Sequence, residues 1–253
     1  MLNGRIMKGI GGFYYVDTEQ GLYECRARGI FRKNKITPLV GDFVKISVVD
    51  EENKKGVVEE IAERENLEIV IILTKIDLDD DNTFEKIKNI YEPCGYKVIG
   101  VSNLENKNID KVKEELKDNT VVFAGPSGVG KSSLLNQIDS NFQLKTGDVS
   151  DKIKRGKHTT RHAELFELKF GGMVADTPGF SSLTLDDIED IDLKDYFIEF
   201  EDYDDCKFGS RCIHQNEPNC AVKEAVENGE IPKERYESYI QLLNEIRQGK
   251  RRY

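Results

Sequence analysis

Short runs of alternating apolar and polar residues fill roughly the first 62 positions of the chain. Four of these runs predict β-strands: Phe13–Val16, Leu22–Cys25, Phe43–Ile46 and Val57–Ile61. Glycine-containing turns separate the runs, as is usual between the strands of small all-β domains. This spacing predicts a small antiparallel barrel at the amino terminus.

From Glu68 onward the pattern changes, and apolar strands alternate with amphipathic helices. The segments are a strand ending in 74–77, a helix over about 83–91, a strand at 97–101, a helix over about 109–117, a strand at 121–124, and strands at 163–170 and 173–176. Alternating strands and helices predict a parallel, doubly wound α/β sheet. A further amphipathic helix is predicted from about Pro232.

One loop of this α/β region fits the phosphate-binding pattern G-x-x-x-x-G-K-[ST]. It consists of Gly125, Pro126, Ser127, Gly128, Val129, Gly130, Lys131 and Ser132, with Ser133 next in the following helix. A strand before the loop and a helix after it are the context that this pattern requires. Backbone N–H groups of such a loop surround phosphate oxygens, and the helix adds its positive end. We expect Lys131 to reach the terminal phosphates and Ser132 to hold Mg²⁺.

The strand that ends at Asp176 opens a D-x-x-G motif completed by Gly179. In phosphate-loop enzymes this Asp holds Mg²⁺, directly or through water, and the Gly N–H senses the γ-phosphate. Together with the phosphate loop, the motif indicates a GTPase.

A second motif lies before the phosphate loop. Thr74, Lys75 and Asp77 resemble the guanine-reading N-K-x-D sequence, with Thr in place of Asn. A carboxylate accepts hydrogen bonds from N1–H and the exocyclic amine of guanine, a donor pair that adenine lacks. We expect Lys75 to lie along the purine ring, and Ser102, which follows the next strand, to occupy the loop that closes over the base.

The loop after the phosphate-binding helix carries His158, Thr159 and Thr160. A switch threonine in this region completes the Mg²⁺ shell in GTPases; we favour Thr160, with Thr159 as the alternative. Phe180 follows Gly179, where many GTPases have a water-orienting Gln. A phenyl ring neither donates nor accepts a proton, so hydrolysis should be slow unless another group acts. His158 is the candidate, arranged when a partner docks.

Three thiols and one imidazole lie within fifteen residues near the carboxyl terminus: Cys206, Cys212, His214 and Cys220. Four soft or borderline ligands at close spacing predict a tetrahedral Zn²⁺ site. Because no coordination position remains open, we expect the zinc to be structural.

Composition limits the possible partners. The chain has 253 residues, room for two or three small domains, and a net charge of −10, which argues against bulk attraction to nucleic acid. Basic clusters within residues 1–41 and at 152–157 fit a specific RNA partner, although they are equally compatible with solvated surface charge. The longest aliphatic run, Ile69–Leu73, is far too short to span a membrane, so we expect a cytoplasmic protein without a membrane partner.

These motifs and their order resemble the circularly permuted GTPase family RsgA, over nearly the whole chain. The resemblance also includes Val40–Val44, Glu63–Asn66, Leu144–Ser150 and Arg155–Thr160. It implies an OB-fold at residues 1–64, a circularly permuted GTPase domain at 68–184 and a small α-helical zinc domain at 185–253. It further implies GTP and GDP as ligands with Mg²⁺, and a role in late maturation of the 30S ribosomal subunit through 16S rRNA. We expect a monomer.

The sequence departs from the family at one place. The family has another βα unit before the strand that carries N-K-x-D, but here Leu67 is followed directly by Glu68 and that strand. By analogy with other GTPases, the missing strand lies between the phosphate-loop strand and the base-reading strand. Either the remaining strands close up, or the natural protein has a segment that this sequence lacks; we favour the second.

Two other functions fit parts of the sequence. One is an RNA-binding translational regulator that binds nucleotide without significant catalysis. The other is a phosphate-loop kinase or ATPase, for which the loop alone would suffice. Asp77 argues against the second because adenine cannot satisfy it.

Overall fold

The fold is described from a computed structural model, over residues 1–33, 36–62, 67–126, 128–140, 163–176, 185, 188–203 and 205–250. In this part of the chain the strands are β1 (Leu2–Ile10), β2 (Phe13–Thr18), β3 (Gly21–Ala27), β4 (Phe43–Asp50), β5 (Lys55–Ile61), β6 (Val70–Thr74), β7 (Lys97–Val101), β8 (Thr120–Val122), β9 (Ala163–Glu167) and β10 (Met173–Asp176). The helices are α1 (Gly29–Lys33), α2 (Thr83–Tyr91), α3 (Ile109–Leu116), α4 (Lys131–Ile138), α5 (Ala221–Glu227) and α6 (Lys233–Lys250). None of these helices combines the length and apolarity that crossing a membrane requires.

The chain divides into two compact units. Unit 1 comprises Met1–Glu68 and Asn106–Ser181, and unit 2 comprises Ile69–Glu105 and Ser182–Tyr253. The three domain boundaries expected from the sequence stay a prediction.

In unit 1, strands β1 to β5 form a closed barrel. The strand order is β2-β3-β5-β4-β1, and β1 pairs with β2 to close it. Its interior is apolar; the fully buried residues include Ile6, Val16, Tyr23, Ile46 and Val58. The predicted OB-fold is therefore confirmed. The expectation of purely antiparallel pairing is wrong in one place, because β3 pairs with β5 in parallel. Five strands cannot alternate in direction all the way round a closed barrel.

Strand β1 has no clear signal in the sequence, because glycines and basic residues interrupt its alternation. Gly4 shows why a glycine is needed there. A Cβ atom at this position would lie 2.4 Å from the carbonyl oxygen of Asp17 on β2. The strand therefore forms through close backbone pairing rather than through an alternating apolar face.

The barrel continues into strands β9, β10 and β8 of the same unit. Strand β1 pairs with β9, β9 with β10 in antiparallel fashion, and β10 with β8 in parallel, which gives one eight-stranded sheet. Lys8 on β1 also forms an ion pair with Glu164 on β9 at 2.8 Å. The buried residues of helices α3 and α4 supply apolar contacts: Ile109, Val112, Leu116, Leu134, Leu135 and Ile138.

In unit 2, β6 and β7 form a separate parallel pair in register from Val70↔Lys97 to Thr74↔Val101. Among the described strands, β6 pairs with β7 and β8 pairs with β10. The carboxyl-terminal part of unit 2 packs around an apolar cluster, which includes Leu193, Phe197, Phe200, Tyr239, Leu243 and Ile246.

Candidate functional site

The phosphate-loop motif lies between β8 and α4, as the sequence predicts. Three of its glycines have positive φ: 149° at Gly125, 78° at Gly128 and 100° at Gly130. Residues with a Cβ rarely adopt these values, so the motif's glycines are required by the backbone itself. Ser127 lies outside the described residues.

Lys131, the first residue of α4, reaches back over this loop. Its ammonium group donates to the carbonyl oxygens of Gly125 at 2.5 Å and Pro126 at 2.9 Å. Ser132 and Ser133 follow in the first turn and are half-buried, while Leu134 is fully buried and anchors the helix. The Lys131 ammonium is thus held against the loop by two of the loop's own carbonyl groups.

Asp176 is the last residue of β10, and the phosphate-loop motif follows the carboxyl end of the neighbouring strand β8. The register Ala175↔Val122 places the carboxyl ends of β10 and β8 side by side. Gly172, in the turn before β10, has a φ of 87°, and a Cβ there would lie 2.1 Å from the carbonyl oxygen of Leu116. This close approach fixes the position of β10 relative to α3. Gly179, Phe180, His158, Thr159 and Thr160 lie outside the described residues.

The guanine-reading candidates follow strand β6. Thr74 is its last residue, Lys75 has a φ of 60°, and Asp77 lies half-exposed in a 3₁₀ turn, Ile76–Leu78. The next carboxylate, Asp79, accepts the N–H groups of Thr83 at 2.7 Å and Phe84 at 2.8 Å. Both hydrogen bonds lower the pKa of Asp79, and the one from Phe84 has the larger effect. Asp79 therefore stabilises the start of α2, a role that the sequence motif does not reveal.

Ser102, expected to lie near the base, is fully buried at the end of β7. Its Oγ accepts the N–H of Glu105 at 3.1 Å and so shapes the turn that follows the strand. The next residue, Asn103, has a buried Oδ1 that makes no hydrogen bond in the described part of the chain. An unpaired buried acceptor costs about 1–3 kcal/mol.

The four predicted metal ligands come together in unit 2. Their ligand atoms all lie within 4.8 Å of one another, and all four residues are buried. The Sγ atoms of Cys206 and Cys220 are 3.8 Å apart, and the Nδ1 of His214 lies 3.6 Å and 3.3 Å from them. Zn–S bonds of about 2.3 Å in a tetrahedron place sulfurs about 3.8 Å apart. The donor set and its geometry therefore fit one tetrahedral ion.

Burial shifts the pKa of His214, Cys212 and Cys220. It lowers the pKa of His214 to about 4, which leaves the imidazole neutral and able to bind a cation. Burial also raises the pKa of Cys220 to about 12 and that of Cys212 in the same direction. Buried thiolates are therefore unfavourable unless a cation offsets their charge, as a bound metal does.

Two tyrosines of α6 hold the ligand loop in place. Tyr236 donates to the carbonyl oxygen of His214 at 2.7 Å, and Tyr239 donates to that of Ile213 at 2.8 Å. Glu217 adds hydrogen bonds from the N–H groups of Ile213 and Gln215. The sequence predicts the helix but not these contacts, because a tyrosine on an amphipathic helix is usually just a core residue.

Comparison with known proteins gives consistent results. The profile described as RsgA GTPase matches residues 42–186, and that of the RsgA N-terminal domain matches residues 3–58. A protein of Alkaliphilus metalliredigens named small ribosomal subunit biogenesis GTPase RsgA is 43% identical, over 99% of this chain and 100% of its own length. That alignment extends over 292 residues, whereas this chain has 253, so the relative carries an internal stretch that this chain lacks.

Two solved structures share the fold. The crystal structure of YjeQ from Thermotoga maritima is 34% identical, with a TM-score of 0.74, over 97% of this chain and 98% of that one. YloQ, described as a circularly permuted GTPase, is 35% identical with a TM-score of 0.70, over 98% of this chain and 96% of that one. The matched profiles and relatives, together with the G-P-S-G-V-G-K-S loop, the T-K-I-D sequence before it and the Cys/His cluster after it, show that the chain belongs to the RsgA GTPase family.

Proposed function

We propose that this protein hydrolyses GTP to GDP and phosphate and acts in biogenesis of the small ribosomal subunit. One observation carries the proposal: a phosphate-loop motif between β8 and α4 in a chain whose strand β6 leads into T-K-I-D. The named activity of the Alkaliphilus relative agrees with it. A loop alone would fit many nucleotide enzymes, whereas Asp77 restricts the choice to guanine.

The phosphate end of the nucleotide would be bound by the loop. Lys131 would exchange its two carbonyl partners for phosphate oxygens, since its ammonium already lies at the loop. Oxygen ligands suit Mg²⁺, and Ser132, Asp176 and Thr160 would supply them. The bound ion would neutralise charge on the β- and γ-phosphates, while the N–H of Gly179 would sense the γ-phosphate.

The base end would be read by the residues after β6 and β7. The Asp77 carboxylate would accept from N1–H and the exocyclic amine of guanine, Lys75 would lie along the ring, and Thr74 would fix the strand end. Ser102 would act through the turn it stabilises rather than by direct contact, because its side chain is fully buried and its Oγ accepts the N–H of Glu105.

Intrinsic hydrolysis would be slow because Phe180 cannot orient water. We propose that His158 supplies this function when the protein is bound to its partner. If a His158→Ala variant keeps the full partner-stimulated rate, another group positions the water.

We propose that the Cys/His cluster holds one structural Zn²⁺, because four protein ligands leave no open position for catalysis. The ion would fix the loop whose carbonyl oxygens accept hydrogen bonds from Tyr236 and Tyr239 of α6.

The partner we propose is the 30S subunit, contacted through 16S rRNA by a monomer in the cytoplasm. One feature of the barrel supports RNA binding. A cavity of about 360 Å³ is lined by residues that include Phe13, Tyr14 and Arg26. The Arg26 guanidinium lies 4.6 Å from the centre of the Phe13 ring. Aromatic and guanidinium faces of this kind stack on unpaired RNA bases.

Phosphate release from GTP and from ATP tests the enzymatic proposal. We expect turnover of GTP and none of ATP above background. Lys131→Ala should lower GTP turnover by at least about 100-fold, because it removes the charge that stabilises the transferring phosphoryl group. Equal turnover of the two nucleotides would contradict guanine recognition, and full activity of the variant would contradict the phosphate-loop assignment.

A further inference from the structure

Helix α6 contacts the segment Ile69–Glu105, called here the β6–β7 fragment, inside the same compact unit. Arg235 makes this contact. Its side chain is only 11% exposed and forms a two-point ion pair with Glu199, itself 5% exposed, at 2.5 Å and 3.2 Å. A buried, bidentate pair of this kind holds both side chains in one geometry.

The guanidinium group of Arg235 also lies against three aromatic rings. The ring centres of Tyr91, Tyr96 and Phe197 are 5.2 Å, 5.3 Å and 4.7 Å from its central carbon. Tyr91 ends α2 and Tyr96 precedes β7, whereas Phe197 belongs to the apolar cluster around the metal ligands. One cation therefore joins the β6–β7 fragment to the carboxyl-terminal part of the chain. Cation–π contacts are strongest when they are shielded from water, as this one is.

A backbone contact reinforces this connection. Gly95, in the turn between the two tyrosines, has a φ of 84°, and a Cβ there would lie 3.3 Å from Cδ1 of Ile198. The turn thus packs directly against the 3₁₀ turn Ile198–Phe200 that carries Glu199.

Arg235 is adjacent in sequence to Tyr236, which donates to the carbonyl oxygen of the metal ligand His214. On the other side, the turn at residues 91–96 leads directly into β7, which ends at Val101, just before Ser102, and is paired in register with β6. A continuous set of contacts therefore runs from the metal cluster through α6 to the strand ends that carry Thr74–Asp77 and Ser102.

We propose that Arg235 is a positioning residue for guanine recognition. With Glu199 it holds the turn at residues 91–96 against the described residues 188–250, called here the carboxyl-terminal module, and this sets where the ends of β6 and β7 present Asp77 and Ser102. The inference rests on the proposed function for the assignment of Asp77 to the base. Its consequence is that guanine selectivity depends on a contact that touches no part of the nucleotide.

Two matched double variants test this inference. Glu199→Ala/Arg235→Ala removes the ion pair without leaving either charge buried alone. Asp190→Ala/Arg247→Ala removes another ion pair of the same helix, at 3.2 Å, whose arginine contacts Gln215 and not the tyrosines of the fragment. Dissociation constants for GDP and IDP are measured for each, with zinc content as a check on the module. IDP lacks the exocyclic amine, so the ratio of the two constants reports base reading alone.

We expect Glu199→Ala/Arg235→Ala to keep its zinc and to lose at least about five-fold of its preference for GDP over IDP, a size typical of coupling between linked sites. The Asp190/Arg247 variant should retain the parental preference. Tyr96→Ala leaves the ion pair in place and should also lower the preference for GDP over IDP. If the first variant fails to fold, the result for Tyr96→Ala tests the inference in its place.

The inference is overturned if the Glu199→Ala/Arg235→Ala variant binds zinc and keeps the parental preference for GDP over IDP. If that variant does not fold, the same result in Tyr96→Ala overturns it. Either result leaves the proposed function intact. An equal loss of preference in the Asp190/Arg247 control also overturns it, because the effect would then be general to the helix. A parent chain that binds no guanine nucleotide overturns the proposed function, and this inference with it.

Discussion

Replacing Cys220 by Ser should release the metal ion and unfold the carboxyl-terminal module. Structural zinc contributes about 10–16 kcal/mol of apparent binding free energy to small metal-dependent folds. Here the ligand loop supports α6 through Tyr236 and Tyr239, so loss of the ion should also loosen the helix. Zinc content should fall from one equivalent to none, and hydrogen exchange in α6 should lose its protection.

Cys25→Ser is the matched control. Its thiol is also fully buried, but it lies in the barrel and is not a metal ligand. This variant should keep one equivalent of zinc and the protection of α6. Retention of stoichiometric zinc by Cys220→Ser, or an unchanged α6 in its absence, would contradict a structural metal site.

Replacing Asp77 by Asn should reverse the nucleotide preference. The amide can no longer accept from both N1–H and the amine of guanine, and its NH₂ group instead suits the carbonyl of xanthine. Sites built around such donor and acceptor pairs discriminate by large factors, so GDP affinity should fall by at least about 100-fold while xanthosine diphosphate gains affinity. Competition against a fluorescent GDP analogue measures both changes.

Asp79→Asn, the same substitution two residues later, separates base reading from stability. Asp79 accepts two N–H groups at the start of α2, so its replacement should cost about 1 kcal/mol of stability without admitting xanthosine nucleotides. If Asp77→Asn retains GDP affinity, or if Asp79→Asn changes the preference equally, Asp77 does not read the base.

The sequence predicts the site motifs better than it predicts how the strands assemble. The phosphate loop, helix α2 and the metal ligands follow from local patterns: glycines at positive φ, apolar spacing, and closely spaced thiols. Strand β1 and its pairing with β9 do not, because they depend on contacts between residues about 155 positions apart, such as Lys8 and Glu164.

Contacts that link elements are also absent from any local pattern. Arg235 looks like an ordinary charged residue on an amphipathic helix, yet it lies among three rings and a carboxylate. The buried Oδ1 of Asn103 is likewise visible only in three dimensions.

The missing βα unit is the main departure from the family that the sequence reveals. The expected unit would precede strand β6 in the chain, where Leu67 is followed directly by Glu68. The alignment with the Alkaliphilus relative covers nearly all of both proteins, yet it extends over 292 residues, whereas this chain has 253. This difference agrees with internal residues that are absent from this chain.

GTP turnover measured with and without purified 30S subunits tests the central claim most directly. We predict slow turnover by the protein alone, since Phe180 cannot orient water, and an increase of at least about 100-fold with 30S subunits, the lower end of the range of general acid–base assistance. Large ribosomal subunits at the same concentration should give no increase. Turnover that is unaffected by 30S subunits, or that rises equally with large subunits, would contradict a GTPase dedicated to the small subunit.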